Sequence, residues 1–257
     1  MAQITIRGLT LGAGAPCRIL VPIMQNTAAA AAAAAAALQN GPGDLVELRL
    51  DALRGLGTAA LCDCLLAVRA ALGPRPLLAT VRTAREGGLA DITPADYAVL
   101  CAALCATGAA DLIDVELSAG GAATAAVQAA ARAAGMVTVF SSHDFAKTPP
   151  VAEMVATLRR MGDAGADIAK LAVMPRTPAD AAALLQATAQ AAAAMPDVPL
   201  ITMAMGALGV VTRLCGGAFG SAASFGTAGR ASAPGQPDAQ ALRGAMDAMA
   251  GAGAFPG

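Results

Sequence analysis

Short apolar runs alternate with longer stretches of helical character along almost the whole chain. Cys17–Met24 (CRILVPIM) reads as a strand and Ala28–Gln39 as a helix. Asp44–Leu50 (DLVELRL) is a strand, followed by a helix over Thr58–Leu72. Pro76–Arg82 (PLLATVR) precedes a helix opening at Thr93-Pro94, an N-cap residue followed by a proline in the first helical position. Asp111–Leu117 (DLIDVEL) leads to an alanine-rich helix ending near Ala134, and Met136–Ser142 (MVTVFSS) to a helix from about Pro150 to Ala164. Ile168–Val173 precedes the helix after Thr177-Pro178. Pro199–Met205 (PLITMAM) precedes a short, glycine-interrupted helix over Val210–Gly217. Ser221–Gly226 is a weak eighth strand and Pro237–Ala250 the last helix. Ahead of these units, MAQITIRGLT alternates like a strand and predicts an N-terminal hairpin.

Strands alternating with helices predict a parallel sheet. Eight such units in 257 residues fit a (β/α)8 TIM barrel. A doubly wound sheet is the alternative, but no GxGxxG follows the first strand, which argues against a dinucleotide site there. No linker divides the chain, so residues 1–257 are expected to form a single barrel domain.

Composition narrows the picture. Hydrophobic residues make up 56% of the chain but aromatics only 2%, so the core must be built from small and aliphatic side chains with close-packed helices. A net charge of −1 without a long basic run leaves no nucleic-acid footprint. Ala28–Leu38 is a strong helix former but too short to span a bilayer, and the N-terminus has no signal-peptide pattern. Neither a membrane nor a nucleic-acid partner is therefore expected, and the chain reads as cytoplasmic. Four of the six cysteines, Cys62, Cys64, Cys101 and Cys105, lie in helical patterns. With one histidine and no CxxC, they read as buried thiols of a reducing compartment, and no metal site is expected.

The charged residues matter more. Lys147 and Lys170 are the only lysines among 17 basic residues, and Lys170 interrupts an apolar strand. A buried ammonium must be paired, reach water or lose its proton. A chain that otherwise uses arginine for positive charge points, at Lys170, to a neutral amine nucleophile; a snorkelling ammonium is the plainer reading. Function in such a barrel sits at the C-terminal ends of the strands, where the other charges gather. Glu47 and Arg49 share one face of the second strand. Arg82 ends the third, with Glu86 just beyond it in REGG. Asp114 and Glu116 share a face of the fourth. His143 follows the fifth, Arg213 the seventh, and Ser232 to Gln236 (SAPGQ) the eighth. Each also has a structural reading: Glu47 with Arg49 as an ion pair, Asp114 and Glu116 as partners of Arg82, His143 as a packed core residue.

Together the set predicts one chemistry. A neutral lysine attacks a ketone or aldehyde and forms an imine, whose protonated form acidifies the neighbouring C–H. A histidine titrating near neutrality moves that proton. Arginines recognise a carboxylate, and Glu, Ser and Gln bind hydroxyls. This describes a Schiff-base lyase acting on a small, polar, anionic carbonyl compound.

The motifs ELRLD at Glu47–Asp51, TVRTAREGG at Thr80–Gly88, SSHDF at Ser141–Phe145, AKLAVMP at Ala169–Pro175, and GSAASFG followed by SAPGQ make the chain resemble the type I 3-dehydroquinate dehydratases over nearly its whole length. The resemblance implies that Lys170 forms the imine with 3-dehydroquinate, that His143 is the general acid and base, and that Glu86 orients it. It implies that Arg213 binds the carboxylate, with Arg82 helping to line the anionic pocket. Glu47 and Arg49 would contact ring hydroxyls, and Ser232 and Gln236 would sit on a loop that closes over the substrate. The product would be 3-dehydroshikimate, on the shikimate route to aromatic amino acids, and the enzyme a homodimer. The chain departs from the family pattern at Pro22 and Ala204, where some members carry serine; this touches fine substrate contacts only. Two other readings compete: a Schiff-base aldolase with a phosphate-binding loop near Gly216-Gly217 or Gly226–Gly229, and a barrel that only binds such metabolites. SAPGQ fits a lid better than a phosphate loop, and a mere binder has no use for both His143 and Lys170.

Overall fold

The structure is a computed structural model that describes residues 3–229 and 231–253. Met1, Ala2, Arg230 and residues 254–257, with the expected domain limits at 1 and 257, lie outside the described residues. The predicted hairpin is formed by β1 (Gln3–Ile6) and β2 (Leu9–Gly12), antiparallel strands joined through Arg7 and Gly8, both at positive φ. That conformation suits a two-residue hairpin turn.

The barrel follows. Its strands are β3 (Arg18–Ile23), β4 (Leu45–Arg49), β5 (Leu77–Thr80), β6 (Leu112–Glu116), β7 (Val137–Asp144), β8 (Ile168–Val173), β9 (Leu200–Ala204) and β10 (Ala223–Phe225). They lie parallel in the order β10-β3-β4-β5-β6-β7-β8-β9. β10 returns to β9 through one bridge, Leu200 with Ser221, and the Ala222 amide donates to the Leu200 carbonyl at 2.7 Å. The weak eighth strand is thus the seam that closes the barrel.

The helices are α1 (Ala28–Leu38), α2 (Thr58–Leu72), α3 (Pro94–Ala106), α4 (Gly121–Ala133), α5 (Val151–Asp163), α6 (Pro178–Ala194), α7 (Gly206–Cys215) and α8 (Ala239–Gly251). Caps set several starts. Thr93 accepts from the Asp96 amide, and Thr177 with Asp180 forms a reciprocal capping box. α1 is alanine almost throughout and has no apolar stripe of its own. Packing against α2 and β3 selects Ala31, Ala35 and Leu38 as its buried side.

Two cores result. The larger fills the space between strands and helices. The smaller lies inside the barrel, where Leu20, Leu45, Leu78, Leu112, Val139, Ile168 and Ile201 form a floor, and Ile6 and Leu11 of the hairpin plug it from below. Strand residues alternate inward and outward. Two steps above that floor, inward positions become Glu47, Thr80, Asp114, Ser141 and Lys170, all buried. The change from apolar floor to polar roof is already written in the period-two pattern.

Two expectations need correction. α7 begins at Gly206, four residues before the predicted start, and a 3-10 turn, Gly216–Phe219, continues it. The glycines that hide the helix in the sequence are there for contact: a side chain at Gly209 would run into the Ala204 carbonyl of β9. β7 extends two residues beyond the predicted end, so His143 belongs to the strand rather than the loop.

Candidate active site

Nine of the residues singled out above line one cavity at the C-terminal mouth of the barrel: Glu47, Arg49, Arg82, Glu86, His143, Lys170, Arg213, Ser232 and Gln236. The sequence did not single out its apolar wall, which includes Phe145, Ala172, Met203, Met205 and Phe225. Met203 and Met205 could have been found by stepping in twos from the inward-facing Ile201.

Lys170 stands at the centre of β8 with only 3% of its surface exposed. Its Nζ lies 3.6 Å from Asp114 Oδ2, 3.7 Å from Glu47 Oε1 and 4.5 Å from the centre of the Phe225 ring. Two carboxylates and an aromatic face therefore compensate a cation there, without holding the nitrogen in a short hydrogen bond. Snorkelling is ruled out by the burial. Lys147, by contrast, is exposed on the loop after β7.

Glu47 and Arg49 do not pair with each other. Thr80 Oγ1 donates to Glu47 Oε1 at 2.9 Å. Arg49 makes a two-pronged contact with Asp51, Nε and Nη2 each 2.8 Å from a carboxylate oxygen. Asp51 also accepts from the Arg82 and Leu89 amides, so it ties the loops after β4 and β5 together. The sequence contains Asp51 in ELRLD, yet gave it no role.

Arg82 is the hub of the acidic side. Its Nη2 donates to Asp114 at 2.7 Å, and its Nη1 to Glu116 at 2.9 Å, Ser141 at 3.0 Å and Glu86 at 3.1 Å. Burial works to lower its pKa, but the three carboxylates outweigh it and hold the guanidinium above its ordinary value. The structural reading of Asp114 and Glu116 as partners of Arg82 is therefore what the geometry shows. Arg82 reaches the cavity with its positive charge already matched, which leaves little of it for a substrate anion. A side chain at Gly88 in REGG would strike the Arg82 carbonyl, so the glycine lets the loop fold back and bring Glu86 over the cavity.

His143 Nδ1 lies 2.8 Å from Glu86 Oε2. Burial, reinforced by the cations Arg82, Lys170 and Arg49, holds His143 well below the ordinary imidazole value. The expectation of a histidine titrating near neutrality is thus displaced onto its partner: burial pushes Glu86 up to about 7, against the pull of Arg82. When Glu86 is ionised it accepts the Nδ1–H, and the Nε2 lone pair is free to act as a base.

Arg213, on α7, is fully buried and has no carboxylate partner among the described residues. Its Nε and Nη1 have no hydrogen-bond partner, and Nη2 has only the Pro234 carbonyl at 3.5 Å. Desolvation alone lowers its pKa from the ordinary arginine value to about 10. A buried guanidinium that faces a cavity without a carboxylate partner is suited to receive an anion.

Ser232 and Gln236 close the roof together. The Ser232 amide donates to Gln236 Oε1, and Gln236 Nε2 donates to Ser232 Oγ, both at 2.8 Å. The segment is anchored more than its composition predicts. Ala233 packs on the inner core, and the Pro234 carbonyl accepts from the Gly206 amide at 3.1 Å.

Comparison with known proteins gives the family of the chain. The family model for type I 3-dehydroquinase matches residues 19–252. A 3-dehydroquinate dehydratase of Salmonella paratyphi B is 40% identical over 244 residues, covering 95% of this chain and 96% of that protein. The crystal structure of type I 3-dehydroquinate dehydratase from Clostridium difficile superposes with a TM-score of 0.93 at 35% identity, covering 98% of each chain. The enzyme from Aquifex aeolicus gives 0.74 at 26% identity, covering 90% of this chain and 97% of that one.

Proposed function

This chain belongs to the type I 3-dehydroquinase family, and we propose which of its residues carry the reaction. The reaction is the elimination of water from 3-dehydroquinate to give 3-dehydroshikimate through a lysine Schiff base, and the enzyme is a hydro-lyase of the shikimate pathway. Lys170 is the Schiff-base lysine. Its amine adds to the substrate ketone and, with loss of water, becomes an imine; once protonated, the imine is the electron sink. His143 Nε2 then removes the C2 proton, and the electron pair passes to the imine nitrogen. The C1 hydroxyl leaves as water with the proton carried by His143, and hydrolysis of the imine releases product and amine. Glu86 orients His143 through the Nδ1 contact.

Arg213 receives the substrate carboxylate. Glu47 and Arg49 meet ring hydroxyls, each fixed from behind, by Thr80 and Asp51. Arg82 holds the acidic wall rather than the substrate. Ser232 and Gln236 close over the ring and exclude water from the imine. None of these steps calls for a cofactor. The observation that carries the reading is the convergence of Lys170, His143 and the unpartnered Arg213 on one cavity.

The barrel is read as one catalytic domain that works as a homodimer in the cytoplasm. No helix among the described residues is long and apolar enough to cross a membrane. Sedimentation at micromolar concentration tests the dimer. Borohydride reduction in the presence of 3-dehydroquinate tests the chemistry: one ligand mass should appear on the peptide containing Lys170. A label on Lys147, or none, refutes the assignment.

A further inference from the structure

The ladder between β5 and β6 is short. It pairs Leu78 with Leu112 and Ala79 with Ile113, then stops, because β5 ends at Thr80 and the chain turns toward Asp51 and Glu86. Continuing that register would set Val81 against Val115. A residue opposite Val115 in a parallel ladder donates to the carbonyl before it and accepts from the amide after it. Those groups, the Asp114 carbonyl and the Glu116 amide, both meet the hydroxyl of Tyr97. Tyr97 donates to Asp114 O at 3.1 Å and accepts from Glu116 N at 3.0 Å. Tyr97 lies in the first turns of α3, just after the Thr93 cap, and is 1% exposed. One phenol hydroxyl replaces the missing backbone of a strand.

We infer that Tyr97 is a positioning residue for the dehydration, acting through the end of β6. From the backbone it holds hang the two carboxylates that grip Arg82. Asp114 takes Arg82 Nη2 and the Ser141 hydroxyl, while Glu116 takes Arg82 Nη1 and both the amide and hydroxyl of Thr83. Arg82 in turn contacts Glu86, which holds His143. Asp114 is also one of the two carboxylates beside Lys170. Without the hydroxyl, a buried carbonyl and a buried amide lose their partner. The strand end must shift to satisfy them, and the carboxylates shift with it. The inference rests on the reading that His143 and Lys170 do the chemistry.

The test is Tyr97→Phe, assayed at 25 °C on folded protein. We expect kcat to fall about tenfold, equivalent to about 1.4 kcal/mol. KM should stay within about twofold, because Arg213 binds from α7, and borohydride should still label Lys170 completely. A lower unfolding temperature with wild-type kcat would make Tyr97 merely structural and overturn the inference. Should the variant fail to fold, the chain offers a second route. Tyr97 is its only tyrosine, so uniform 3-fluorotyrosine labelling alters this residue alone. The fluorine acidifies the phenol and weakens its acceptance from Glu116, so kcat should drop severalfold at constant KM. The single fluorine resonance should move on reduction of the imine. Unchanged kcat in the fluorinated enzyme also overturns the inference. Failure of the underlying reading looks different: the adduct falls elsewhere than Lys170, or His143→Ala keeps its turnover.

Discussion

Replacing Arg213 with methionine should make the free enzyme more stable while it ruins substrate binding. The guanidinium is buried and two of its three nitrogens have no partner. Its pKa falls from the ordinary arginine value to about 10 because burial disfavours the charged form. A basic group lowered on folding carries a cost that is fully present below the folded value and disappears as pH rises through about 10 toward the ordinary arginine value. At neutral pH that cost is about 3 kcal/mol. Methionine fills most of the same volume without the charge, and a residual void returns part of the gain. A net stabilisation of about 1–3 kcal/mol should raise the unfolding midpoint by roughly 3–10 °C. Differential scanning calorimetry in a buffer free of carboxylate and phosphate measures this, since such anions would occupy the wild-type site. The same variant loses two charge-assisted hydrogen bonds to the carboxylate, worth about 1.5–3 kcal/mol each, so kcat/KM should fall by at least about 100-fold. A carboxylate-free analogue should bind both proteins alike. A free variant less stable than the wild type would show that Arg213 is satisfied in the folded protein, and would sink the argument for an anion site.

Other outcomes follow from the same geometry. Lys170→Arg keeps the charge but should form no borohydride-reducible adduct, as mass spectrometry would show. His143→Ala should lose on the order of 100- to 10,000-fold in turnover yet still trap the imine; near-normal turnover would make His143 a packing residue. Wild-type kcat/KM should rise with pH through about 7, as Glu86 ionises in the free enzyme and frees Nε2 of His143. Glu86→Ala should abolish that limb, and its survival would assign the titration elsewhere. Gly235, at φ +77°, would direct a side chain into the Gly206 carbonyl, so Gly235→Ala should keep the roof segment open. Its amides should then exchange at the same rate with and without saturating ligand, whereas wild type is protected by ligand.

The barrel was legible because its strands are short, apolar and evenly spaced, and because a buried lysine among arginines is conspicuous. Most charged positions noticed at the strand ends turned up at the cavity, since period two fixes which side chains face inward; Asp114 and Glu116 lie behind Arg82 instead. Partnership was not legible. Glu47 beside Arg49 in sequence suggests a pair, yet Glu47 is met by Thr80 of the neighbouring β5 while Arg49 turns to Asp51, just past the end of its own strand. Arg82 and Arg213 look alike in sequence, and only burial and neighbours reveal that one is surrounded by carboxylates and the other has none. Tyr97 could not be found at all, because its role depends on a gap between two strands that no local pattern records. The start of α7 was obscured by glycines needed for its approach to β9.

The seam at β10 has a consequence for how the molecule is made. β3 emerges early, but one of its two neighbours, the three-residue β10, comes after most of the chain, at Ala223–Phe225. Until then one edge of β3 is bare and the inner core is open on that side. The entropy of so long a closure grows only with the logarithm of its length, so the delay bears on rate more than on final stability. An open apolar strand edge on a nascent chain invites pairing with other chains. Ile19 O accepts from Asp44 on the β4 side and Leu20 O from Gly226 on the other, so Pro22, two residues on from Leu20, points its nitrogen toward the bare edge. A proline there offers no N–H to a stranger and costs the finished barrel nothing, because β10 ends at Phe225 before it would be reached. Pro22 is well placed to protect the unfinished chain.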